Sequence, residues 1–195
     1  KFDYYKFTSG LQLIVWGLFK KMVIADRIDG FASVIFGSYG DYGGLAVALA
    51  ILLYTIQLYT EFSGCMDIVT GCARLFGISL AKNFEQPFFS RNVNEFWRRW
   101  HITLGAFLRD YVFYPISLSK FFQKLSKGAR KHFNEYYAMT IPAAAALFAV
   151  WFCNGIWHGA EWKYICYGLY YYVIMLSGML LEPLFKKICG AIHLN

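Results

Sequence analysis

Residues 138–157 read AMTIPAAAALFAVWFCNGIW, a run of 20 residues without a charged side chain. A helix needs about 20 mostly apolar residues to cross the roughly 30 Å hydrocarbon core of a bilayer. Pro142 lies near the start of this run, where a membrane helix tolerates proline. Two other uncharged runs, Tyr42–Tyr59 and Tyr164–Leu181, have a similar length. The sequence therefore predicts three clean membrane spans.

The composition agrees with a membrane protein. Of the 195 residues, 58% are hydrophobic and 21% aromatic, and only 16% are charged. A soluble domain averages roughly 45–50% apolar and about 25% charged residues. The excess excludes a disordered chain, and a chain this short cannot hide so many apolar side chains in its own interior. Five scattered cysteines are predicted to be small core residues, since their spacings match neither a metal site nor a disulfide framework.

Two further segments are apolar but interrupted, and a third has the opposite character. Leu11–Ile24 is broken by Lys20 and Lys21, and Phe31–Tyr39 is too short to span, so either segment could be interfacial, re-entrant or packed inside a bundle. Glu95–Leu118 is aromatic and basic, and we expect it at an interface or lining an internal surface. The chain begins without a signal-peptide pattern, and we expect it to be an internal piece of a longer protein.

Basic residues predict the orientation in the membrane. The segment from Lys120 to His132 holds five Lys or Arg residues and no acid, so the positive-inside rule places it in the cytoplasm. The connection Trp157–Lys163 then lies toward the outer side. The basic segment sets topology first, and it could also attract donor phosphates or anionic lipid headgroups. No motif supports nucleic-acid binding.

Two histidines stand out from the four in the chain. His158 follows the uncharged run and precedes Gly159, which would let a substrate approach the backbone, with Trp157 and Trp162 as flanking aromatics. A helical pattern would place His101 on one apolar face with Trp97, Leu104 and Leu108. Ionisable side chains at membrane depth are candidates for function, although neutral histidines also join helices through hydrogen bonds. A metal site is weakly supported because no third ligand has a recognised spacing. His132 and His193 are predicted to be solvated bystanders.

Acidic residues near the spans favour structural roles. Glu61 and Asp67 follow the Tyr42–Tyr59 run, and Asp110 is adjacent to Arg109. Buried ion pairs and helix caps are the usual use of such residues, with Ser63 or Asp67 as a possible cap. We assign neither Glu61 nor Asp67 a catalytic role.

Several motifs together resemble the membrane-bound O-acyltransferase family. They are LFKKMVIAD at 18–26, NF at 83–84, QPF at 86–88, EFWRRWHITL at 95–104, RDY at 109–111 and GIWHGA at 155–160. The Arg-Arg form and the 18–26 motif resemble the alginate O-acetyltransferase-like branch more than D-alanyl transfer proteins. The chain departs from the family pattern at Glu61, where Asp is common, and at Cys65, where an aromatic is common.

The resemblance implies an all-α, polytopic fold, a ring of helices with re-entrant and interfacial elements around a central tunnel. It implies that residues 1–195 form the central and catalytic part of one domain in a multi-pass protein of the bacterial plasma membrane. The implied catalytic residues are His158 and His101. The residues implied to line the tunnel or bind substrate are Trp97, Arg98, Arg99, Trp100, Arg109, Asp110, Trp157 and Gly159.

The implied activity is transfer of an acyl group from a cytoplasmic thioester toward a hydroxyl of an extracytoplasmic cell-wall polymer or exopolysaccharide. Acetyl-CoA or another acyl thioester would be a co-substrate, and neither a bound cofactor nor a metal is expected. The expected partners are membrane lipids, the donor, an acyl-accepting protein outside the cytoplasm and the polysaccharide, and no nucleic acid. Alternatives are D-alanyl transfer to teichoic acid, a transporter or flippase subunit, and a structural scaffold.

Overall fold

The structure, a computed structural model, describes residues 2–191 as helices joined by short irregular segments. The helices are α1 (Tyr4–Leu18), α2 (Asp26–Gly37), α3 (Gly44–Leu75), α4 (Val93–Arg99), α5 (Ile102–Leu108), α6 (Tyr114–Ser117), α7 (Lys120–Ala129), α8 (Glu135–His158) and α9 (Trp162–Ala191). Two π-helical segments, Phe19–Ala25 and Arg109–Phe113, join α1 to α2 and α5 to α6. Residues 2–191 contain no β-strand, which confirms the all-α prediction.

Within residues 2–191, four helical stretches are long and apolar enough to cross a membrane. They are Tyr4–Gly37, Gly44–Leu75, Glu135–His158 and Trp162–Gly190. The last two contain the predicted spans Ala138–Trp157 and Tyr164–Leu181 and extend both of them. Gly44–Leu75 begins two residues inside the predicted Tyr42–Tyr59 run and continues well beyond its end. The chain divides between Phe84 and Glu85 into two compact units.

The first stretch corrects the prediction of two interrupted segments. The helix runs from Tyr4 to Gly37, and Lys20 and Lys21 lie in its π-helical part. Lys20 Nζ is 2.6 Å from Asp67 Oδ2, and Lys21 Nζ is 2.7 Å from Glu61 Oε1. Because each ammonium group meets a carboxylate on α3, the charges are neutralised and the helix continues through them.

Helix α3 is longer than the Tyr42–Tyr59 run predicted, with 32 residues from Gly44 to Leu75. Glu61 and Asp67 therefore lie within the helix, and the prediction that Ser63 or Asp67 caps a following helix is wrong. The prediction that both acids form ion pairs is confirmed. Gln57 Nε2 also donates to Glu61 Oε2 at 2.9 Å, so the carboxylate has a second partner on its own helix.

Glycines set the closeness of α1 and α3. A Cβ on Gly17 would lie 2.5 Å from the Gly64 carbonyl oxygen, and one on Gly10 would lie 2.8 Å from that of Gly71. In the same way, a Cβ on Gly64 would lie 2.8 Å from the Gly17 carbonyl oxygen, and one on Gly71 would lie 2.6 Å from that of Gly10. The seven-residue spacing repeats the contact every two turns, so the two antiparallel backbones approach as small residues allow in membrane helices.

The second unit is built on α8 and α9. A Cβ on Gly155 would lie 2.7 Å from the Tyr164 carbonyl oxygen, and one on Gly168 would clash with the carbonyl of Trp151. The helices therefore approach closely near the end of α8, where only three residues connect them. Both contain an internal proline, Pro142 in α8 and Pro183 in α9.

The cysteines are not core residues, and that prediction is wrong. Cys65, Cys72, Cys153, Cys166 and Cys189 are all free and exposed. All five lie on helices that could span a membrane. A small apolar thiol suits a lipid-facing helix surface as well as a protein core.

Candidate active site

His158 is the last residue of α8, and the backbone turns sharply after it. Gly159 has φ +152° and ψ 165°, a conformation that L side chains rarely adopt. A Cβ at this position would lie 2.6 Å from Tyr164 Cε2. Glycine therefore ends the helix and lets the ring of Tyr164 pack beside His158, with ring centroids 6.2 Å apart.

His101 lies at a break between α4 and α5. Its φ of +45° is in the left-handed region, and Trp100 before it is extended. The Arg99 carbonyl accepts the Glu85 backbone N–H at 3.0 Å instead of continuing the helical ladder. The prediction of one helical face through Trp97 and His101 is therefore wrong. Leu104 and Leu108 do share the inner face of α5, as predicted.

The two histidines meet at one indole ring. The centroid of Trp157 is 5.7 Å from that of His101 and 4.9 Å from that of His158. Burial lowers the pKa of His101, and the nearby His158 imidazole lowers it further. Near neutral pH the His101 ring is therefore uncharged and has one nitrogen able to accept a proton.

Tyrosines of α9 complete the surroundings of His158. The Tyr167 ring packs edge-on to the imidazole at 5.3 Å, and its side chain lies near buried Asn154 of α8. The sequence predicted Trp157 and Trp162 as the aromatic residues beside His158. Trp162 is instead 79% exposed. The rings that contact His158 are those of Trp157, Tyr164 and Tyr167. Sequence reasoning missed Asn154, Tyr164 and Tyr167 as site residues.

A cluster of larger rings supports the tyrosines. Tyr171 packs against Tyr167 at 5.1 Å, Trp97 at 4.8 Å and Trp151 at 5.1 Å. Trp97 and Trp151 also pack on each other at 4.8 Å. Their indole N–H groups are both buried and lack a hydrogen-bond partner within residues 2–191. Such groups are rare in native proteins.

The predicted charged residues are arranged in pairs. Arg99 Nη2 is 2.5 Å from Glu95 Oε1, while the Arg91 backbone N–H donates to the other Glu95 oxygen at 2.8 Å. The Arg91 hydrogen bond, and then Arg99, lower the pKa of Glu95. Arg109 Nε donates to Asp110 Oδ1 at 2.8 Å, and both side chains are exposed.

The remaining predicted residues are placed as follows. Trp100 stacks on Phe96 with centroids 5.6 Å apart, and Arg98 is exposed. His132 is exposed in the segment after α7, as predicted for a bystander, and His193 lies outside the described residues. Across residues 2–191, no three His, Cys, Asp or Glu side chains converge as metal ligands. The structure thus brings His101, His158 and Trp157 together, with Gly159 at the turn.

The arrangement can perform proton-transfer chemistry. It holds two imidazoles beside aromatic rings, with Tyr167 packed against His158 and buried Asn154 nearby. An uncharged imidazole in such surroundings can accept a proton from a hydroxyl group. The site is open to the surface of the described chain, since His158 is exposed and Trp157 is 56% exposed.

Comparison with known proteins identifies the family. The membrane-bound O-acyltransferase (MBOAT) family matches residues 6–130, more than half of the chain. This region contains His101, whereas His158 follows it. The match covers both π-helical segments, Phe19–Ala25 and Arg109–Phe113.

Individual relatives support the same family. The chain is 35% identical to the peptidoglycan O-acetyltransferase of Helicobacter pylori, over 86% of this chain and 28% of that protein. It is 36% identical to the "Probable alginate O-acetylase AlgI" of Pseudomonas putida, over 85% of this chain and 30% of that protein. It is 29% identical to the teichoic acid D-alanyltransferase of Bacillus subtilis, over 92% of this chain and 43% of that protein. The chain spans less than half the length of these relatives. It belongs to the membrane-bound O-acyltransferase family.

Proposed function

We propose that this chain is the catalytic part of a membrane O-acetyltransferase. The acetyl group would come from a cytoplasmic thioester and pass to a hydroxyl of an extracytoplasmic cell-wall polymer or exopolysaccharide through a partner protein. The observation that carries the proposal is the meeting of His101 and His158 at Trp157 in a chain of this family. The names of the two O-acetylating relatives support acetyl as the group transferred.

His158 is the general base in this proposal. Its imidazole takes the proton of the acceptor hydroxyl as that oxygen attacks the thioester carbonyl. The new C–O bond forms, the C–S bond breaks, and the departing thiolate receives the proton back from the imidazolium. The products are the acetyl ester and the free thiol. An acyl-histidine intermediate at His158 is the competing mechanism.

His101 and the residues around it position the substrates. The uncharged His101 ring adjoins the same Trp157 and would orient the donor or the acceptor beside His158. Arg98, Arg99 and the Arg109–Asp110 pair would shape the inner side of the tunnel.

The length of α8 supports access from two sides. Its 24 residues rise about 36 Å, comparable to the thickness of a bilayer. The basic segment precedes its first residue, and His158 is its last. If the basic segment is cytoplasmic, as the positive-inside rule indicates, the thioester enters from that side and the acceptor reaches His158 from the outer side.

The test uses the full-length protein reconstituted in liposomes with labelled acetyl-CoA and its partner protein. We expect acceptor-dependent release of free CoA, abolished by His158→Ala. His132→Ala is the matched control, since this histidine is exposed and precedes the start of α8, whereas His158 is the last residue of that helix. Retained transfer in the folded His158→Ala protein would refute the assignment, and solute flux without thioester consumption would favour a transporter.

D-alanyl transfer is the second candidate, because one relative is a teichoic acid D-alanyltransferase. Mass spectrometry of the envelope polymer, from cells with and without the protein, separates the two. A mass increase of one acetyl group on the polymer supports acetyl transfer, and an increase of one alanyl group refutes it in favour of D-alanyl transfer.

A further inference from the structure

We propose that α7 is a membrane-surface helix that binds anionic lipid headgroups. The helix carries three stripes. One is packed inward against α8 and contains Phe122, Ser126 and Ala129, at the four- and three-residue spacing of a helix face. The other two stripes are exposed, and their chemistry differs.

The first exposed stripe is apolar. Phe121 is 71% exposed and Leu125, four residues later, is 43% exposed. Leu118, just before the helix, is 64% exposed. The stripe lies on the helix surface beside the packed stripe, so α8 does not cover it. Its apolar side chains suit the acyl-chain region of a bilayer.

The second exposed stripe is basic. Lys120, Lys124 and Lys127 are spaced by four and three residues, and Arg130 and Lys131 follow. No Asp or Glu occurs between Asp110 and Glu135, and the ion pair of Arg130 with Glu135 is long, at 3.6 Å. The stripe therefore has a net positive charge that matches phosphate groups. Lysine stems can lie along an apolar surface while the ammonium groups reach headgroups.

Connectivity favours a lipid surface as the occupant. Five residues separate the end of α7 from the start of α8, a helix that could span the membrane. Even fully extended, five residues reach only about 17 Å, so α7 stays close to the end of that span. Exposed apolar side chains continue across the connection at Phe133 and Met139. A soluble phosphate donor would occupy the lysines alone and leave the apolar stripe in water.

Hydrogen exchange of the full-length protein in nanodiscs tests the proposal. We expect α7 amides to exchange on the order of 100-fold more slowly in phosphatidylglycerol discs than in phosphatidylcholine discs, since each of the three lysines of α7 contributes roughly a fivefold preference near an anionic surface. The triple variant Lys120→Gln, Lys124→Gln, Lys127→Gln should lose most of this difference. Arg27→Gln with Lys82→Gln, two exposed cations of the first unit, is the control and should keep it.

A second variant separates the apolar contribution. Phe121→Ser with Leu125→Ser should speed exchange of the α7 amides in both kinds of disc. The ratio of exchange rates between the two discs should remain, and added salt should reduce it because it is electrostatic. Equal exchange of the unaltered protein in both discs would overturn the proposal. Protection that appears in phosphatidylcholine only on adding acetyl-CoA would assign the stripe to the donor, and protection only on adding poly-L-glutamate would assign it to an acidic protein.

Discussion

His101 and His158 contact the same side chain, the indole of Trp157, although one lies at a helix break and the other at a helix end. The ring holds both imidazoles within 6 Å, measured between centroids. Neither histidine is placed by its own helix alone. The geometry of the pair therefore depends on Trp157.

Trp157→Ala should lower the rate of acyl transfer by about 100-fold, since small displacements of catalytic groups have effects of that size. Trp157→Phe keeps an aromatic wall and should retain more activity than Trp157→Ala. Trp162→Ala is the matched control at the same turn, because that ring is 79% exposed. The kcat and KM of acetyl transfer measure the effect. Equal rates for Trp157→Ala and Trp162→Ala would contradict a positioning role.

His101 should make the stability of the protein depend on pH. Its pKa is lowered in the folded state, so the unfolded chain, with a pKa of about 6.5, binds the proton more readily. Stability is then complete above about pH 6.5 and falls as the pH drops from there toward the lowered folded pKa. Thermal unfolding in detergent across this range should show a weaker slope for His101→Gln than for His132→Gln. Identical slopes would show that His101 does not contribute.

The contact of α1 with α3 should not tolerate larger residues. Gly17→Ala places a Cβ against the Gly64 carbonyl, so the helices must separate, at a cost of about 1–3 kcal/mol. Gly30→Ala is the control, because a Cβ there meets nothing within 4 Å and alanine favours a helix by up to about 1 kcal/mol. Thermal unfolding should rank Gly17→Ala below the unaltered protein and Gly30→Ala at or above it. The reverse order would contradict the packing.

The Lys20–Asp67 pair should be coupled. Lys20→Met leaves Asp67 without its cation, and Asp67→Leu leaves Lys20 without its anion, so each single variant should lose stability. The double variant removes both charges and should be more stable than either single one. A double-mutant cycle of unfolding free energies measures the coupling. Additive losses would mean that the pair contributes nothing beyond its separate residues.

The spans were the part of the fold that the sequence could predict. The run from Ala138 to Trp157 has no charge, and crossing a bilayer requires just such a run, so α8 was predicted to within three residues at its start and one at its end. The helix Tyr4–Gly37 was not predicted as one span, because Lys20 and Lys21 interrupt its apolar sequence. Their partners lie on α3, 47 and 40 residues away, and the π-helical turn shifts the apolar periodicity on either side of it.

The site was predicted in its residues more than in its arrangement. His101, His158 and Trp157 were named from motifs, but the break at His101 depends on the Glu85 amide, which a local pattern does not reveal. Tyr164, Tyr167 and Tyr171 recur every three or four residues, a signal that could have found them. The same spacing fits an aromatic belt at the membrane interface, and only packing against α8 distinguishes the two.

The five exposed cysteines give the protein built-in depth markers. Cys65 and Cys72 lie two turns apart on one side of α3, about 10 Å along its axis, while Cys153 and Cys166 lie on α8 and α9. A water-soluble maleimide labels only thiols that reach an aqueous phase, whereas a membrane-permeant one also reaches thiols in lipid. The ratio of the two reactions at each position would measure how far into the bilayer each helix sits, without introducing a single reporter residue.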